Sequence, residues 1–445
     1  MKNLKSNIIF KIFTIFILVL ILLIPTVMVR SIIDERQYIQ QDAIREVSEK
    51  WSNEQSLSGP YLSIPYKRYV KKYNAKDSTN VVVAIKEWAH FLPENLTING
   101  NIKPEKRNRH IYEVVVYESQ LDISGNFNNI DFSKFEIDNK DVLWDKATLN
   151  MGISDLKGIE KQIQLNWQDQ PVWFNSGTSN NEVVATGINT IVNIKPDSIQ
   201  NYTFTTKLDL KGSQHLYFTP IGKTTDVKLT SNWTTPSFTG TYLPDNHTIN
   251  QKGFTANWNI LHLNRNYPQE WTGSSYQINN SQFGTDLLLP VDNYKKSDRV
   301  AKYAILLIVL TFITFFFVEV LKKTFIHPIQ YLLVGIALIV FYTLLISFSE
   351  HIAFNYAYIL STLLTLGLVG LYTKAILKSN QISLLIAGIL TILYTFIFTI
   401  IQLESYALLI GSIGMFFILS LVMYMSRKID WYSIKLGNET EETEP

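Results

Sequence analysis

The ionisable side chains best placed for chemistry lie at the ends of a long apolar run. The stretch "HPIQYLLVGIALIVFYTLLISFSEH" begins at His327 and ends with Glu350 and His351. Imidazole and carboxylate groups bind metal ions and transfer protons, so these residues would form a reactive site if they met. In a helix they do not meet, because about 20 residues separate the two histidines by about 30 Å. Glu350 and His351 are adjacent, and adjacent helical residues do not face the same way.

The sequence carries no complete motif for a common enzyme mechanism or cofactor. It has no H-E-x-x-H, no G-x-S-x-G, no S-x-x-K with its partner motifs, and no P-loop or G-x-G-x-x-G. Cysteine is absent, which excludes disulfides, thiol catalysis and cysteine-ligated metal. Numerous aspartates and glutamates leave paired-carboxylate hydrolysis open. Otherwise the sequence predicts a protein that is not an enzyme and has no metal or cofactor.

The distribution of apolar residues indicates the class of protein. The 445 residues carry a formal net charge of +2, which gives no indication of a nucleic-acid partner. Apolar residues make up 47% of the chain and cluster towards both ends. Since a bilayer-crossing helix needs about 20 mostly apolar residues, the clusters predict a membrane protein with the lipid bilayer as a partner.

Six apolar runs are long enough to cross a bilayer. The first, Ile8–Val29, lacks the small-residue cleavage site of a signal peptide, so residues 1–30 are predicted to be an uncleaved anchor. Residues 301–428 are predicted to form a bundle of the other five. Those runs are roughly Ala301–Leu321, Ile329–Phe348, Ala353–Thr373, Ile382–Ile401 and Ser405–Met425.

Lysine and arginine residues predict the orientation of these spans. They precede the first span or lie in its first turn, and they occupy alternate ends of the bundle spans, whereas the loops "SEHIA" and "QLE" have none. Cytoplasmic N- and C-termini follow, with residues 31–300 outside and an acidic cytoplasmic tail over residues 429–445. The positive residues used are Lys2, Lys5, Lys11, Lys322, Lys323, Lys374, Lys378, Arg427 and Lys428.

The external residues are predicted to form a stalk and a β-rich domain. Apolar residues recur at helical spacing up to Trp51, which predicts a stalk helix over residues 31–55, broken by Gly59 and Pro60. Residues 56–300 contain strand-like segments such as "NVVVAIKEW" and "YTFTTKLDL". They predict an extracytoplasmic all-β domain of antiparallel sheets, most simply a sandwich. "LPENLTIN" at Leu92 and "LPDNHTIN" at Leu243 indicate either a duplicated β-module or a chance similarity.

Ionisable residues near the ends of the spans are the remaining candidate sites, because charged groups in a membrane are costly. Glu319 and His327 form a candidate pair on the cytoplasmic side. Glu350, His351 and Glu404 form a candidate set on the other side, where they would couple the β domain to the bundle. The alternatives for this set are a helix boundary and proton or ion handling. The basic residues predicted to face it are Arg36, Lys295 and Arg299.

Four stretches between Glu35 and Ile359 carry a resemblance to a known family. They are "ERQYIQQDAIREVSEKWSNEQSLSGPYLSIPY", "GSQHLYFTPIGKTTDVKLTSNWTTPSFTGTYLP", "GFTANWNILHLNRNYP" and "HPIQYLLVGIALIVFYTLLISFSEHIAFNYAYI". With the one-plus-five span arrangement, they resemble the CreD family of bacterial inner-membrane proteins. The resemblance implies a role in envelope integrity and stress, including β-lactam response and bacteriocin tolerance. It implies no reaction, and it transfers no catalytic residue.

These features lead to one functional prediction and two alternatives. The prediction is a non-enzymatic envelope protein whose external domain senses or binds an unknown envelope ligand or protein partner. The first alternative is a transporter or lipid-handling protein with its path through the helix bundle. Few deep polar residues and no obvious pair of broken helices argue against it. The second alternative is a membrane-bound hydrolase.

Overall fold

The protein folds as two compact units. The membrane unit comprises Met1–Gln40 and Val291–Pro445, and the β unit comprises Gln41–Pro290. In this computed structural model the described residues are 8–74, 79–195, 201–287, 289, 293–322, 324–403 and 406–427. The β unit is therefore inserted between two segments of the membrane unit.

Six helices among the described residues are long and apolar enough to cross a membrane. One is N-terminal and five are C-terminal, which confirms the predicted arrangement. A short polar helix, α2, precedes the five. The helices are α1 (Ile8–Trp51), α2 (Asn293–Lys302), α3 (Ala304–Lys322), α4 (Pro328–Ser349), α5 (Phe354–Leu377), α6 (Asn380–Gln402) and α7 (Ala407–Ser426).

Helix α1 is continuous, so the predicted anchor and the predicted stalk are one helix. The division between the two units falls within it, after Gln40. It ends at Trp51, a few residues before the predicted end of the stalk, and Gly59 and Pro60 lie within the first strand instead of ending the helix. In its apolar part, buried residues recur every three or four positions, which defines one packed face. These residues are Leu18, Leu22, Thr26, Val29 and Ile33.

Gly335 allows helix α1 to approach helix α4 closely. A Cβ atom added at Gly335 would lie 2.2 Å from Cδ1 of Leu22 and 3.1 Å from the ring of Phe312. Small residues at such positions let membrane helices pack by van der Waals contact, since lipid provides no hydrophobic driving force between them. The packing of α1 against the bundle thus depends on this glycine.

The β unit is a sandwich of two sheets, as predicted. Its nine-stranded sheet has the order β13-β17-β11-β1-β5-β9-β8, with β2 added to β1 and β16 to β2. Its eight-stranded sheet has the order β14-β15-β12-β3-β4-β10-β6-β7. The strands are β1 (Gln55–Asn74), β2 (Thr79–Phe91), β3 (Asn95–Arg109), β4 (Tyr112–Asn128), β5 (Thr148–Ile153), β6 (Gln164–Trp167), β7 (Gln170–Trp173), β8 (Asn175–Ser176), β9 (Gly187–Ile191), β10 (Asn201–Ser213), β11 (His215–Phe218), β12 (Thr224–Ser231), β13 (Pro236–Gly240), β14 (Asn246–Asn250), β15 (Gly253–Leu261), β16 (Glu270–Thr272) and β17 (Phe283–Leu287).

Alternating side chains from both sheets form one hydrophobic core. Leu62 and Leu149 contribute from the nine-stranded sheet, and Ile98 and Leu208 from the eight-stranded sheet. Strand β10 alternates between exposed and buried residues, as expected for a sheet with one solvated face. The sheets are mixed where antiparallel pairing was predicted, because β1 pairs with β11 and β3 pairs with β12 in parallel. Alternation along one strand carries no information about the direction of its neighbour.

The two similar "LP-N-TIN" segments lead into strands of the same sheet. The first enters β3, which lies inside the eight-stranded sheet, and the second enters β14 at its edge. Strand β3 alternates between buried and exposed residues at its start, whereas β14 is exposed throughout. Their environments differ, and a duplicated module stays a prediction.

Candidate functional site: two ion pairs on helix α1

Glu319 is a buried carboxylate near the C-terminal end of α3, with 3% of its side chain exposed. It accepts hydrogen bonds from the Lys11 ammonium, from the Tyr331 hydroxyl at 3.0 Å and from the Ile326 backbone N–H at 2.9 Å. Lys11 belongs to α1 and Tyr331 to α4, so one carboxylate connects three helices. A buried charge is tolerated when it is paired and its other lone pairs are hydrogen-bonded.

A mainly apolar cavity of about 180 Å³ lies beside this ion pair. His327 forms part of its wall and also caps helix α4, because its Nδ1 accepts a hydrogen bond from the Ile329 N–H at 3.3 Å. The Lys11 ammonium lies 4.8 Å from the centre of the Phe325 ring, within the range of a cation–π interaction. The site therefore combines a neutralised charge pair with apolar space.

The structure places Glu319 and His327 around one cavity but gives Glu319 a different partner from the predicted one. Among the described residues, the cation bound to Glu319 is Lys11. A functional interaction between Glu319 and His327 stays a prediction. In the sequence, Lys11 indicated only the orientation of the first span. A lysine within an apolar run is costly in a membrane, and that cost was the available signal for a buried partner.

Glu350 forms the second ion pair on helix α1. Nε of Arg36 lies 3.5 Å from Oε1 of Glu350, and 10% of the Glu350 side chain is exposed. The Tyr294 hydroxyl donates to the same oxygen at 2.9 Å. The side-chain amide of Asn293 donates to the backbone carbonyl of Ser349 at 2.7 Å. Helices α1 and α2 thus both attach to the C-terminal end of α4, and Arg36 is one of the residues predicted to face Glu350.

His351 and Glu404 differ from Glu350 in what the structure shows of them. The His351 side chain is exposed, and its backbone N–H bonds to the carbonyl of Phe348 at 3.0 Å. Glu404 lies outside the described residues. A coupling role for the set of Glu350, His351 and Glu404 stays a prediction. Its structural support is the ion pair and the hydrogen bond of the Glu350 side chain.

The last turns of helix α1 belong to the β unit and contact its strands through polar and aromatic side chains. Arg109 in β3 donates two hydrogen bonds to Glu46, at 2.9 and 2.8 Å. These bonds, with one from Lys50, lower the pKa of Glu46; the largest cause is Lys50. The ring of Trp51 lies 3.8 Å from the guanidinium carbon of Arg107 and 4.5 Å from the ammonium of Lys211. Cation–π interactions of this kind hold the end of the helix on the sheet.

Patterns in the sequence did not indicate a Ser63–His90–Glu182 chain in the β unit, in which Ser63 and His90 are buried and Glu182 is half-buried. Nδ1 of His90 lies 2.9 Å from the Ser63 hydroxyl, and Nε2 lies 3.0 Å from Glu182. Ser63 and His90 are fully buried cross-strand partners in β1 and β2. Burial lowers the pKa of His90 to about 4, and burial with the neighbouring Glu87 raises the pKa of Glu182.

This chain has the residue types of a hydrolase triad, but a substrate cannot reach its serine. In such triads a reactive serine must reach a substrate, and it faces Nε2 of the histidine. Here Ser63 is enclosed by the core and faces Nδ1. The arrangement holds two strands and the segment around Glu182 together. Among the described residues, no group of three or more His, Asp or Glu side chains is arranged to hold a metal ion.

Comparison with known proteins gives the family. A family model described as "Inner membrane protein CreD" matches residues 7–432. The chain belongs to the CreD family. It is 32% identical over 439 residues to a protein of Escherichia coli (strain K12) named "Inner membrane protein CreD". That alignment covers 97% of this chain and 96% of the relative, so the resemblance noted in the sequence is confirmed.

Family membership and the six apolar helices identify this CreD-family chain as a multi-pass inner-membrane protein in a lipid bilayer. Lys11 and Arg36 are 25 positions apart on α1, which corresponds to about 37 Å along a helix. The hydrocarbon core of a bilayer is about 30 Å thick. The separation of the two ion pairs along α1 is therefore comparable with the thickness of a membrane, and each pair connects α1 to the bundle.

Proposed function

We propose that this protein supports the integrity of the bacterial cell envelope under stress, without catalysing a reaction. The β unit binds or senses an envelope component, and helix α1 passes its state to the membrane unit. Membership of the CreD family supports the link to the inner membrane. In this proposal the N- and C-termini are cytoplasmic and residues 31–300 are external, as the lysine and arginine distribution predicts.

The continuity of helix α1 carries the proposal. One unbroken helix contains Lys11 and Arg36, which pair within the membrane unit, and Glu46 and Trp51, which attach to strands of the β unit. A ligand shifts a conformational equilibrium only as far as it binds one state better than the other. A ligand that changes how β3 holds the end of α1 would alter the free energy of the ion pairs on the same helix.

Glu350 is the residue that we expect to show this coupling in cells. Glu350→Gln keeps the size of the side chain and removes its charge. The ion pair with Arg36 is lost, while the hydroxyl of Tyr294 can still donate to the amide oxygen. In a strain lacking the chromosomal copy, we expect the variant to protect less against a β-lactam or a bacteriocin than wild type, at equal abundance in the membrane.

Asp298→Asn is a matched control for this experiment. It removes one negative charge from the membrane unit, but its partner Lys302 is an exposed neighbour on the same helix, at 2.7 Å. Such pairs contribute little to stability, so this variant should protect as wild type does. His351→Ala tests a second member of the set, with a smaller expected loss because the side chain is exposed. Full protection by Glu350→Gln would contradict the coupling role.

The cavity beside Lys11 and Glu319 favours a second candidate function. An apolar space of about 180 Å³ next to a charge pair could take part of a lipid or another amphiphile. We test this candidate with purified protein in liposomes, by following transfer of fluorescent phospholipids between the leaflets. Transfer that is lost in Glu319→Gln would support lipid handling, and transfer equal to that of protein-free liposomes would exclude it for these lipids.

A further inference from the structure

Strands β1 and β2 extend beyond the sandwich as a two-stranded arm. We define the arm as residues 67–74 and 79–86, which pair only with each other among the described strands, from Lys67 with Lys86 outwards. The last bridge to another part of the β unit is at Tyr66, which pairs with Val142. A ribbon of two strands has no core of its own and is marginally stable in water. The arm therefore needs another surface to cover its side chains.

Both faces of the arm carry apolar side chains that are exposed to solvent. On one face, Val70 pairs with Val83, and Val81 and Ile85 flank that pair. On the other face, 58% of Val82 and 63% of Tyr73 are exposed. Soluble surfaces seldom collect β-branched and aromatic residues in one continuous patch without a binding role.

The same residues lie beside lysines for which the described residues provide no ion-pair partner. Lys67, Lys71, Lys72 and Lys86 are exposed on the arm. Two carboxylates of the described residues contact the arm: Glu87 pairs with Arg68 at 3.0 Å, and Asp141 accepts a hydrogen bond from the Tyr69 hydroxyl at 3.1 Å. The arm thus presents a strong excess of positive charge next to its valines and tyrosines. Apolar residues that insert shallowly, with lysines beside them, match the interface of an anionic lipid bilayer.

We propose that the arm is a membrane-binding element that inserts its valines and tyrosines into the interface of an anionic phospholipid bilayer. Its lysines bind the lipid phosphates, and the tyrosine rings occupy the headgroup region, where their apolar bodies and polar hydroxyls are both satisfied. Lysines along a strand disfavour pairing with another strand. A lipid surface therefore fits the arm better than the sheet edge of a protein partner.

The test uses the full chain, which has no native cysteine. Val83→Cys is labelled with an environment-sensitive fluorophore, and the protein is reconstituted into vesicles of phosphatidylcholine with or without phosphatidylglycerol. Quenching by spin-labelled lipids reports insertion. We expect quenching in the vesicles that contain phosphatidylglycerol, and much less in phosphatidylcholine alone or in high salt, which screens surface charges.

Charge reversal supplies the matched comparison. Lys71→Glu with Lys72→Glu should lower the ratio of inserted to free label roughly tenfold or more, since each lysine near an anionic surface contributes attraction. Lys146→Glu with Lys252→Glu makes the same change in net charge at other exposed positions, and it should leave quenching unchanged. A label at Thr248→Cys, on the exposed strand β14, should not be quenched.

Two results would overturn the proposal. Equal quenching in both lipid mixtures, unaffected by the lysine reversals, would show that anionic lipid is not the ligand. A label protected from water but not quenched by lipid, with protection that rises with protein density in the vesicle, would show that a second copy of the chain covers the arm.

Discussion

The ion pair between Lys11 and Glu319 makes a quantitative prediction about the membrane unit. Glu319→Gln leaves the Lys11 ammonium without an anion in a site where only part of it reaches water. Breaking a buried ion pair from one side costs about 3–5 kcal/mol. Because Lys11 retains some exposure, we expect the lower end, about 3 kcal/mol. Lys11→Met should cost a similar amount, since it leaves the carboxylate with only Tyr331 and Ile326 as donors.

The double variant Lys11→Met with Glu319→Gln should be more stable than either single variant. It removes both charges, and the glutamine oxygen can still accept a hydrogen bond from Tyr331. The remaining loss is about that of one neutral hydrogen bond, on the order of 1 kcal/mol. The two single costs therefore do not add, and the double-mutant cycle measures the coupling energy.

Two spectroscopic signals separate the units in this experiment. The tryptophans of the described residues lie between Trp51 and Trp271, all in the β unit. Their fluorescence follows the β unit during heating in detergent, while far-ultraviolet circular dichroism is dominated by the helices. Since ~1 kcal/mol shifts the melting temperature by ~2–4 °C in folding units of 150–250 residues, each single variant should lower the helical transition by roughly 6–12 °C.

Two results would refute this reasoning. If the loss in the double variant equals the sum of the single losses, Lys11 and Glu319 are not energetically coupled. If the variants lower only the fluorescence transition, the pair does not stabilise the membrane unit.

Three further predictions follow from other parts of the molecule. Gly335→Val should lower the helical transition by several degrees, because its side chain would overlap Leu22, and Leu22→Ala should recover part of the loss. The β unit should lose stability as the pH falls from about 6.5 to about 4. In this range His90 binds a proton in the unfolded chain but stays neutral in the folded protein, where it is buried. His90→Gln should flatten this part of the melting temperature against pH, and an unchanged slope would assign it to other groups. Reporter fusions after Lys378 should show a cytoplasmic location, and fusions at Ile352 an external one; one reversed result would contradict the predicted orientation.

Local patterns in the sequence predicted the elements of the fold. The apolar runs located the six membrane helices of the described residues, and strand-like segments located β2 and β10, because each feature depends on neighbouring residues. The parallel pairs β1–β11 and β3–β12 were not predictable in this way. Strand partners are selected by packing between segments far apart in the chain. That packing cannot be predicted from local patterns in a single sequence.

The candidate sites show the same limit. Glu350 and Arg36 were expected to meet because both belong near one membrane surface. Lys11 and Glu319 are separated by 308 positions, and their contact follows from the packing of α1 against α3 and α4. The chain from Ser63 through His90 to Glu182 depends on strand register and on a loop, so no spacing in the sequence indicated it.

A charge exchange between Arg36 and Glu350 tests most directly whether the ion pair that attaches helix α1 to the bundle is needed for function. Arg36→Glu and Glu350→Arg each place two like charges together, and the double variant restores an ion pair of opposite polarity. We would measure survival of a strain lacking the chromosomal copy under a β-lactam, at equal protein abundance. We predict that each single variant fails to protect and that the double variant recovers most of the protection. Single variants that protect as wild type does, or a double variant no better than its parents, would contradict it.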